Sequence, residues 1–385
     1  MPAPLHAIGT ALRDVMTPSA LISLPALEAN EATMRRLLRG TGVALRPHFK
    51  AHKSSQLAEW QLRASADEPV VGFCAQTLGE VEALVRGSSV TDIILTNQVS
   101  RSKAKWLAAL AAEHPKVRLS ALVDCAEHVA DLDETARAAG AILGALVEIE
   151  CGQDRCGVPA ASDAAVALAK SIVAAEGLAW RGLHVYHGFI QHVRSADDRQ
   201  GAVEAGPASA ARATTERFAA EGIPVPCVTG GGTGTFRQDL AAGTHTELQP
   251  GSYLLMDGDY AQNGDSATFE HSLCIHTTVI SADHASGKRV VDAGSKACDF
   301  VCGMPRPTSI SDKALAAALG PATFKSGGDE AGIIHGVPAG MLKVGETLQL
   351  IPSHCDPTVN LHDQLLAVRG GAVEAIWPVD GRGPR

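Results

Sequence analysis

The sequence predicts an α/β protein: a (β/α)8 barrel over residues 20–255, then a β domain over residues 256–385, with residues 1–19 packing against the latter. Three observations carry this. Short apolar runs alternate with helical patterns about eight times. The runs are near-continuous in Val, Ile and Leu, as in a parallel sheet covered on both faces. After Gly251 the texture changes to short β-like runs set apart by Gly, Pro, Ser and Asp.

Taken in order, Thr17 to Leu24 reads as a first strand, and Pro25 opens a helix that runs through Leu38. Strands follow at Val43 to Arg46, Val70 to Phe73, Ile93 to Thr96, Leu119 to Asp124, Leu143 to Glu150, Gly182 to Tyr186, Val225 to Thr229 and His245 to Leu248. Helical patterns fall at Ser54 to Leu62, Thr77 to Val85, Ser102 to Glu113, Glu127 to Ala138, Ala161 to Ala175 and Ala205 to Glu221. Eight such units fit a closed barrel, with an open doubly wound sheet as the alternative. Beyond the barrel, strands are expected at Leu273 to Ser281, Lys288 to Asp292, Gly332 to His335, Thr347 to Ile351 and Leu365 to Arg369.

The formal charge of −9 argues against nucleic acid or an anionic membrane as the main partner. Nine cysteines, scattered and without C-x-x-C spacing, read as reduced thiols. No apolar segment reaches membrane-spanning length and residues 1–20 lack a secretory core, so a cytoplasmic location is expected, with an organellar one open.

In a (β/α) barrel, chemistry collects at the C-terminal ends of the strands. The strand from Val43 runs into Arg46-Pro47-His48-Phe49-Lys50-Ala51-His52-Lys53. A lysine there, among positive neighbours expected to lower its pKa, suits a Schiff base. Two solvated loop lysines are the alternative. Gln76 follows the next strand, as a ligand or as a loop amide. Arg155 follows Leu143 to Glu150 and has either a cofactor oxygen or a neighbouring Asp as its partner. Tyr186 opens Tyr186-His187-Gly188-Phe189-Ile190-Gln191-His192, whose histidines and amide suit a substrate. Two glycine turns, Gly230-Gly231-Gly232-Thr233 and Pro250-Gly251-Ser252, end the last two strands and form a candidate anion cradle. Lastly, in an extended His354-Cys355-Asp356 the imidazole and carboxylate point to one side. They make a half-shell for a divalent ion, Mn²⁺ or Mg²⁺ before Zn²⁺. A polar turn before Pro357 is the alternative.

Together these residues resemble the fold-type III pyridoxal phosphate enzymes, specifically the metal-dependent D-threonine aldolases, D-3-hydroxyaspartate aldolases and D-serine dehydratases. The landmarks occur in order: Thr17-Pro18, Pro47-His48-Phe49-Lys50, Arg155-Cys156-Gly157-Val158, Gly231-Gly232-Thr233, Pro250-Gly251-Ser252-Tyr253 and His354-Cys355-Asp356-Pro357-Thr358-Val359-Asn360. The resemblance implies an alanine-racemase-like barrel with a β domain, and a homodimer. It implies that Lys50 carries the pyridoxal phosphate, that Gln76, Arg155, Tyr186 and Tyr260 surround its ring, and that Thr233, Gly251 and Ser252 cradle its phosphate. His354 and Asp356 would hold the metal, and His192 would lie near the substrate hydroxyl. The dehydratases resemble His-x-Cys and the aldolases His-x-Asp, so Asp356 implies an aldolase: D-threonine to glycine and acetaldehyde. A D-3-hydroxyaspartate aldolase and a D-serine or D-3-hydroxyaspartate dehydratase are the alternatives.

Overall fold

The computed structural model describes residues 6–64, 70–265 and 268–384. β1 (Ser19–Ser23) leads into α1 (Leu24–Leu38), with Pro25 in its first turn, where a missing N–H costs nothing. Then come β2 (Ala44–Leu45), α2 (Ser55–Ala64), β3 (Phe73–Ala75), α3 (Leu78–Gly87), β4 (Asp92–Leu95), α4 (Arg101–Glu113), β5 (Arg118–Val123), α5 (Ala126–Ala139) and β6 (Leu143–Glu150). The short β7 (Val158–Pro159) pairs with β6. α6 (Asp163–Ala174), β8 (Leu178–Val185), α7 (Ala196–Val203), α8 (Ser209–Ala220), β9 (Val228–Gly230), α9 (Phe236–Ala242) and β10 (Glu247–Leu248) complete this half. The helix expected from Ala205 begins nine residues earlier, because a π turn at Glu204–Ala208 takes up Pro207 and lets α7 run on into α8.

The strands β2-β10-β9-β8-β6-β5-β4-β3 are parallel neighbours in that order. The ends meet: Val71 N donates to Leu45 O at 3.0 Å and Cys74 N to Pro47 O at 2.9 Å. These bonds close the sheet and decide for the barrel over the open sheet. Leu57, Leu84, Leu107, Leu132 and Ile172 from the outer helices are fully buried against it.

The second sheet is built from β11 (Leu273–Asp283), β12 (Lys288–Val291), β13 (Arg306–Thr308), β14 (Thr323–Ser326), β15 (Gly332–His335), β16 (Thr347–Ile351), β17 (Gln364–Arg369) and β18 (Ala372–Pro378), with α10 (Lys313–Leu319) and α11 (Cys355–Val359) between strands. β13, β14 and β18 had no expected counterpart. β13 and β14 are three- and four-residue edge segments without clear alternation. A boundary at residue 20 gives β1 to the barrel, but its ladders join the other sheet, antiparallel to β11 and parallel to β17. Gly9 and Leu12 donate to Val373 and Gly371 on the β17–β18 hairpin, so the segment before β1 lies on this sheet as well. Residues 1–5 lie outside the described residues. No helix among the described residues is long and apolar enough to cross a membrane.

Candidate active site

β2 ends below a single 3-10 turn, Phe49–Ala51, which presents Lys50 at the barrel mouth. His48 caps it: Nδ1 accepts from Lys50 N at 3.4 Å and Nε2 bonds Thr96 Oγ1 at 3.1 Å. Lys53, with φ +51°, turns back so that its ammonium donates to the Lys50 carbonyl and, at 2.7 Å, to the Asp356 carbonyl. It is therefore a buried strut between the Lys50 turn and the second domain rather than a solvated loop lysine.

Lys50 lines a cavity of about 270 Å³ together with Gln76, Arg155, Tyr186, His192, Thr233, Gly251, Ser252, Tyr260, His354 and Asp356. All eleven positions singled out in the sequence thus share one cavity, of a size for a small molecule rather than a macromolecule. Of the positive neighbours expected to lower the Lys50 pKa, Lys53 spends its ammonium on the Lys50 and Asp356 carbonyls, and the other three do not face Lys50 in charged form. Arg46 turns into the barrel and pairs with Glu247, while burial holds His48 and His52 neutral. Burial pulls the Lys50 pKa down, but Tyr186, Asp356 and Glu80 outweigh it and the net shift is upward. The Asp356 carboxylate lies 3.9 Å from its Nζ.

Gln76 is set by the start of α3. Thr77 Oγ1 accepts from Glu80 N at 3.2 Å, and Glu80 reaches back to Gln76 N at 2.7 Å, a variant of the capping box. The Gln76 amide then bonds the carbonyl and hydroxyl of Thr96. Arg155 lies 5.7 Å over the Tyr186 ring, and its nearest carboxylate is Glu148, at 3.7 Å, rather than an Asp. Glu148, His184 and Gln249 form a buried layer beneath, with His184 between the other two.

The two glycine turns are locked together: Tyr253 N donates to Thr233 Oγ1 at 3.0 Å. A Cβ on Gly251 would lie 2.7 Å from the His48 carbonyl, and one on Gly232 would lie 2.6 Å from Gln191 Oε1. Glycine is needed because the His48 backbone packs behind one turn and the buried Gln191 side chain behind the other. Gln191, expected to meet substrate, instead spends its amide on Thr235 Oγ1 and Gly234 N.

His192 donates at Nδ1 to the ionised Asp259 Oδ2, 2.5 Å away, and stacks on Tyr260 with ring centroids 5.5 Å apart. Burial raises the Asp259 pKa, but His192 and Arg194 together bring it down to about 2. His354 holds Asp257 Oδ2 at 3.0 Å through Nδ1, which leaves Nε2 as its free nitrogen. Burial lowers the His354 pKa, yet Asp257 and Asp356 raise it to about 8. Burial likewise acts to raise the Asp356 pKa, and His354, Lys50, Lys53 and His48 carry it far below the usual carboxylate range.

The extended geometry expected at 354–356 stops at His354, because Asp356 already lies in the first turn of α11. Asp257 and Asp259 had no sequence signal beyond their place after the second glycine turn. Asp257, His354 and Cys355 bring ligand atoms within 4.8 Å of one another. Asp257 is already taken up by His354 Nδ1 and the backbone N–H groups of Cys355 and Tyr260, so it acts as a prop.

Residues 22–259 match the family model described as "Alanine racemase, N-terminal domain", and residues 272–368 match "Putative serine dehydratase domain". The chain is 36% identical to a 3-hydroxy-D-aspartate aldolase of Paracoccus denitrificans (strain Pd 1222), covering 96% of this chain and 93% of that protein. It is 37% identical to a D-threonine aldolase of an Arthrobacter species, covering 97% and 95%. The crystal structure of D-threonine aldolase from Filomicrobium marinum superposes with a TM-score of 0.89 at 36% identity, over 99% of both chains.

Proposed function

This chain belongs to the family that joins the alanine racemase N-terminal domain to the serine dehydratase-type domain, and on that premise we propose that it cleaves D-3-hydroxy amino acids by retro-aldol reaction, D-threonine giving glycine and acetaldehyde. The observation that carries the reading is the meeting of Lys50 from the barrel with Asp356 from the second domain, 3.9 Å apart in one cavity.

The residues fit pyridoxal phosphate. An amine, two interlocked glycine turns with hydroxyls, and Arg155 over Tyr186 line the same cavity. They also fit a hard divalent ion, Mn²⁺ or Mg²⁺, through the free nitrogen of His354 and the anionic Asp356. Bound, the cofactor supplies an electron sink for the pair released from Cα–Cβ, and the ion lowers the pKa of a hydroxyl. Lys50 is the amine for the cofactor carbonyl, Thr233, Gly251 and Ser252 take its phosphate, and Gln76, Arg155, Tyr186 and Tyr260 face its ring. His192 accepts the β-hydroxyl proton at Nε2: Asp259 engages Nδ1, which fixes the tautomer, and Tyr260 holds the plane of the ring. The subunit works as a homodimer in the cytoplasm.

Product analysis tests this. D-Threonine yields acetaldehyde and glycine in equal amounts. A keto acid and ammonia as sole products from D-threonine and D-serine would make the protein a dehydratase. Asp257→Asn keeps the fold but loosens the His354 imidazole, and divalent-ion affinity measured by calorimetry falls by about 10–100-fold. Unchanged affinity would remove Asp257 from that role.

A further inference from the structure

Away from this cavity, two side chains on the turn between β5 and α5 and one from the first turn of α5 lie close together. His128 Nδ1 lies 3.0 Å from Asp124 Oδ1 and 3.2 Å from Cys125 Sγ, and all three ligand atoms are within 4.8 Å of one another. A Cys-His-Asp relay would use the two imidazole nitrogens for different partners. Here thiol and carboxylate crowd the same nitrogen, whose one proton cannot serve both well. Three donors grouped this closely is the arrangement of ligands around an ion.

We propose that Asp124, Cys125 and His128 form a second cation site, selective for a thiophilic divalent ion of the zinc type, with water in the fourth position. Bond lengths of about 2.0–2.3 Å around a tetrahedral ion separate neighbouring ligand atoms by roughly 3.3–3.6 Å, so His128 Nδ1 needs to draw away from its two partners by only a few tenths of an ångström. Cys125 is the N-cap of α5 and His128 lies one turn on, which puts both on one face. Burial and the nearby Glu127 and Asp124 carboxylates push the Cys125 thiol up, so the ion displaces its proton on binding. Aspartate and thiolate together neutralise a divalent charge, so the positive helix end does not repel the ion. One thiolate and one imidazole distinguish this site from the harder His354–Asp356 pair.

The site has a mechanical link to the cavity. The other Asp124 oxygen accepts from Gly157 N at 3.0 Å, so an ion on Oδ1 braces the loop that carries Arg155.

All three residues are half-buried and reachable from solvent. The test is alkylation of the cofactor-loaded enzyme by iodoacetamide, with modified cysteines mapped by peptide mass, with and without zinc. Zinc slows modification of Cys125 by about tenfold or more, because metal and alkylating agent compete for the thiolate. Cys227 and Cys302, which are also half-buried, keep their rates. His128→Gln removes the protection of Cys125, whereas His354→Ala leaves it intact. Equal Cys125 rates with and without zinc, or protection that survives in His128→Gln, would overturn the proposal.

Discussion

Lys50→Ala removes the visible absorbance of the cofactor-loaded protein and lowers turnover of D-threonine by at least about 10³-fold, because no second amine occupies its position to hold the cofactor carbonyl. Lys53, three residues on, is the control. Its ammonium is committed to the carbonyls of Lys50 and Asp356, which makes it a strut between the domains. Lys53→Ala therefore keeps the visible band while turnover falls more modestly, through a looser Lys50 turn. Absorption spectra and steady-state rates of the two variants decide the matter. A band that survives in Lys50→Ala and disappears in Lys53→Ala would transfer the role to Lys53 and end the assignment made here.

Glu247→Ala destabilises the protein by roughly 3–5 kcal/mol, since it strands a charge inside the barrel. The Arg46 side chain is 2% exposed, and its fork meets Glu247 through Nε–Oε1 at 2.6 Å and Nη2–Oε2 at 3.1 Å. Burial opposes the charge on Arg46, but Glu247 and Asp92 raise its pKa, so it does not escape by losing a proton. Asp92 cannot take Glu247's place: its Oδ1 already lies 3.4 Å from Arg46 Nη1 and its other oxygen accepts from Arg118 and Arg181, so Nε and Nη2 lose their only carboxylate acceptor among the described residues. Denaturant unfolding followed by circular dichroism reads the loss as a lower midpoint. The double change Arg46→Met with Glu247→Leu removes both charges and costs less than Glu247→Ala alone. A midpoint for Glu247→Ala equal to the parent's would show that the pair contributes nothing net.

Much of the site was legible because a barrel converts a one-dimensional rule into a place. Groups that follow parallel strands end on one face, so Lys50, Gln76, Arg155, Tyr186 and Thr233 could be collected without coordinates. What the rule does not supply is direction. Gln191 and Arg46 follow or end strands as well, yet one packs behind a glycine turn and the other points into the barrel. Nor does it weigh charges: the upward shift of the Lys50 pKa comes from Tyr186, Asp356 and Glu80, brought in from separate segments against the pull of burial. Asp257 and Asp259 were missed for a related reason. Each works through a histidine distant in sequence, His354 and His192 respectively, and nothing local marks them.

The sequence by itself determined the alternation of strand and helix, the change to a second β domain, and most of the residues that meet in the cavity. Those features are written in hydrophobic periodicity and in which residue follows each strand, both local properties, whereas Tyr260 was named only by the family resemblance. Only the tertiary structure decided that β1 pairs with β11 and β17, that β3 meets β2 to close the barrel, and that Asp356 reaches Lys50 from a short helix. Each of these contacts joins segments whose pairing depends on the packing of everything between them, and a local pattern carries no record of that.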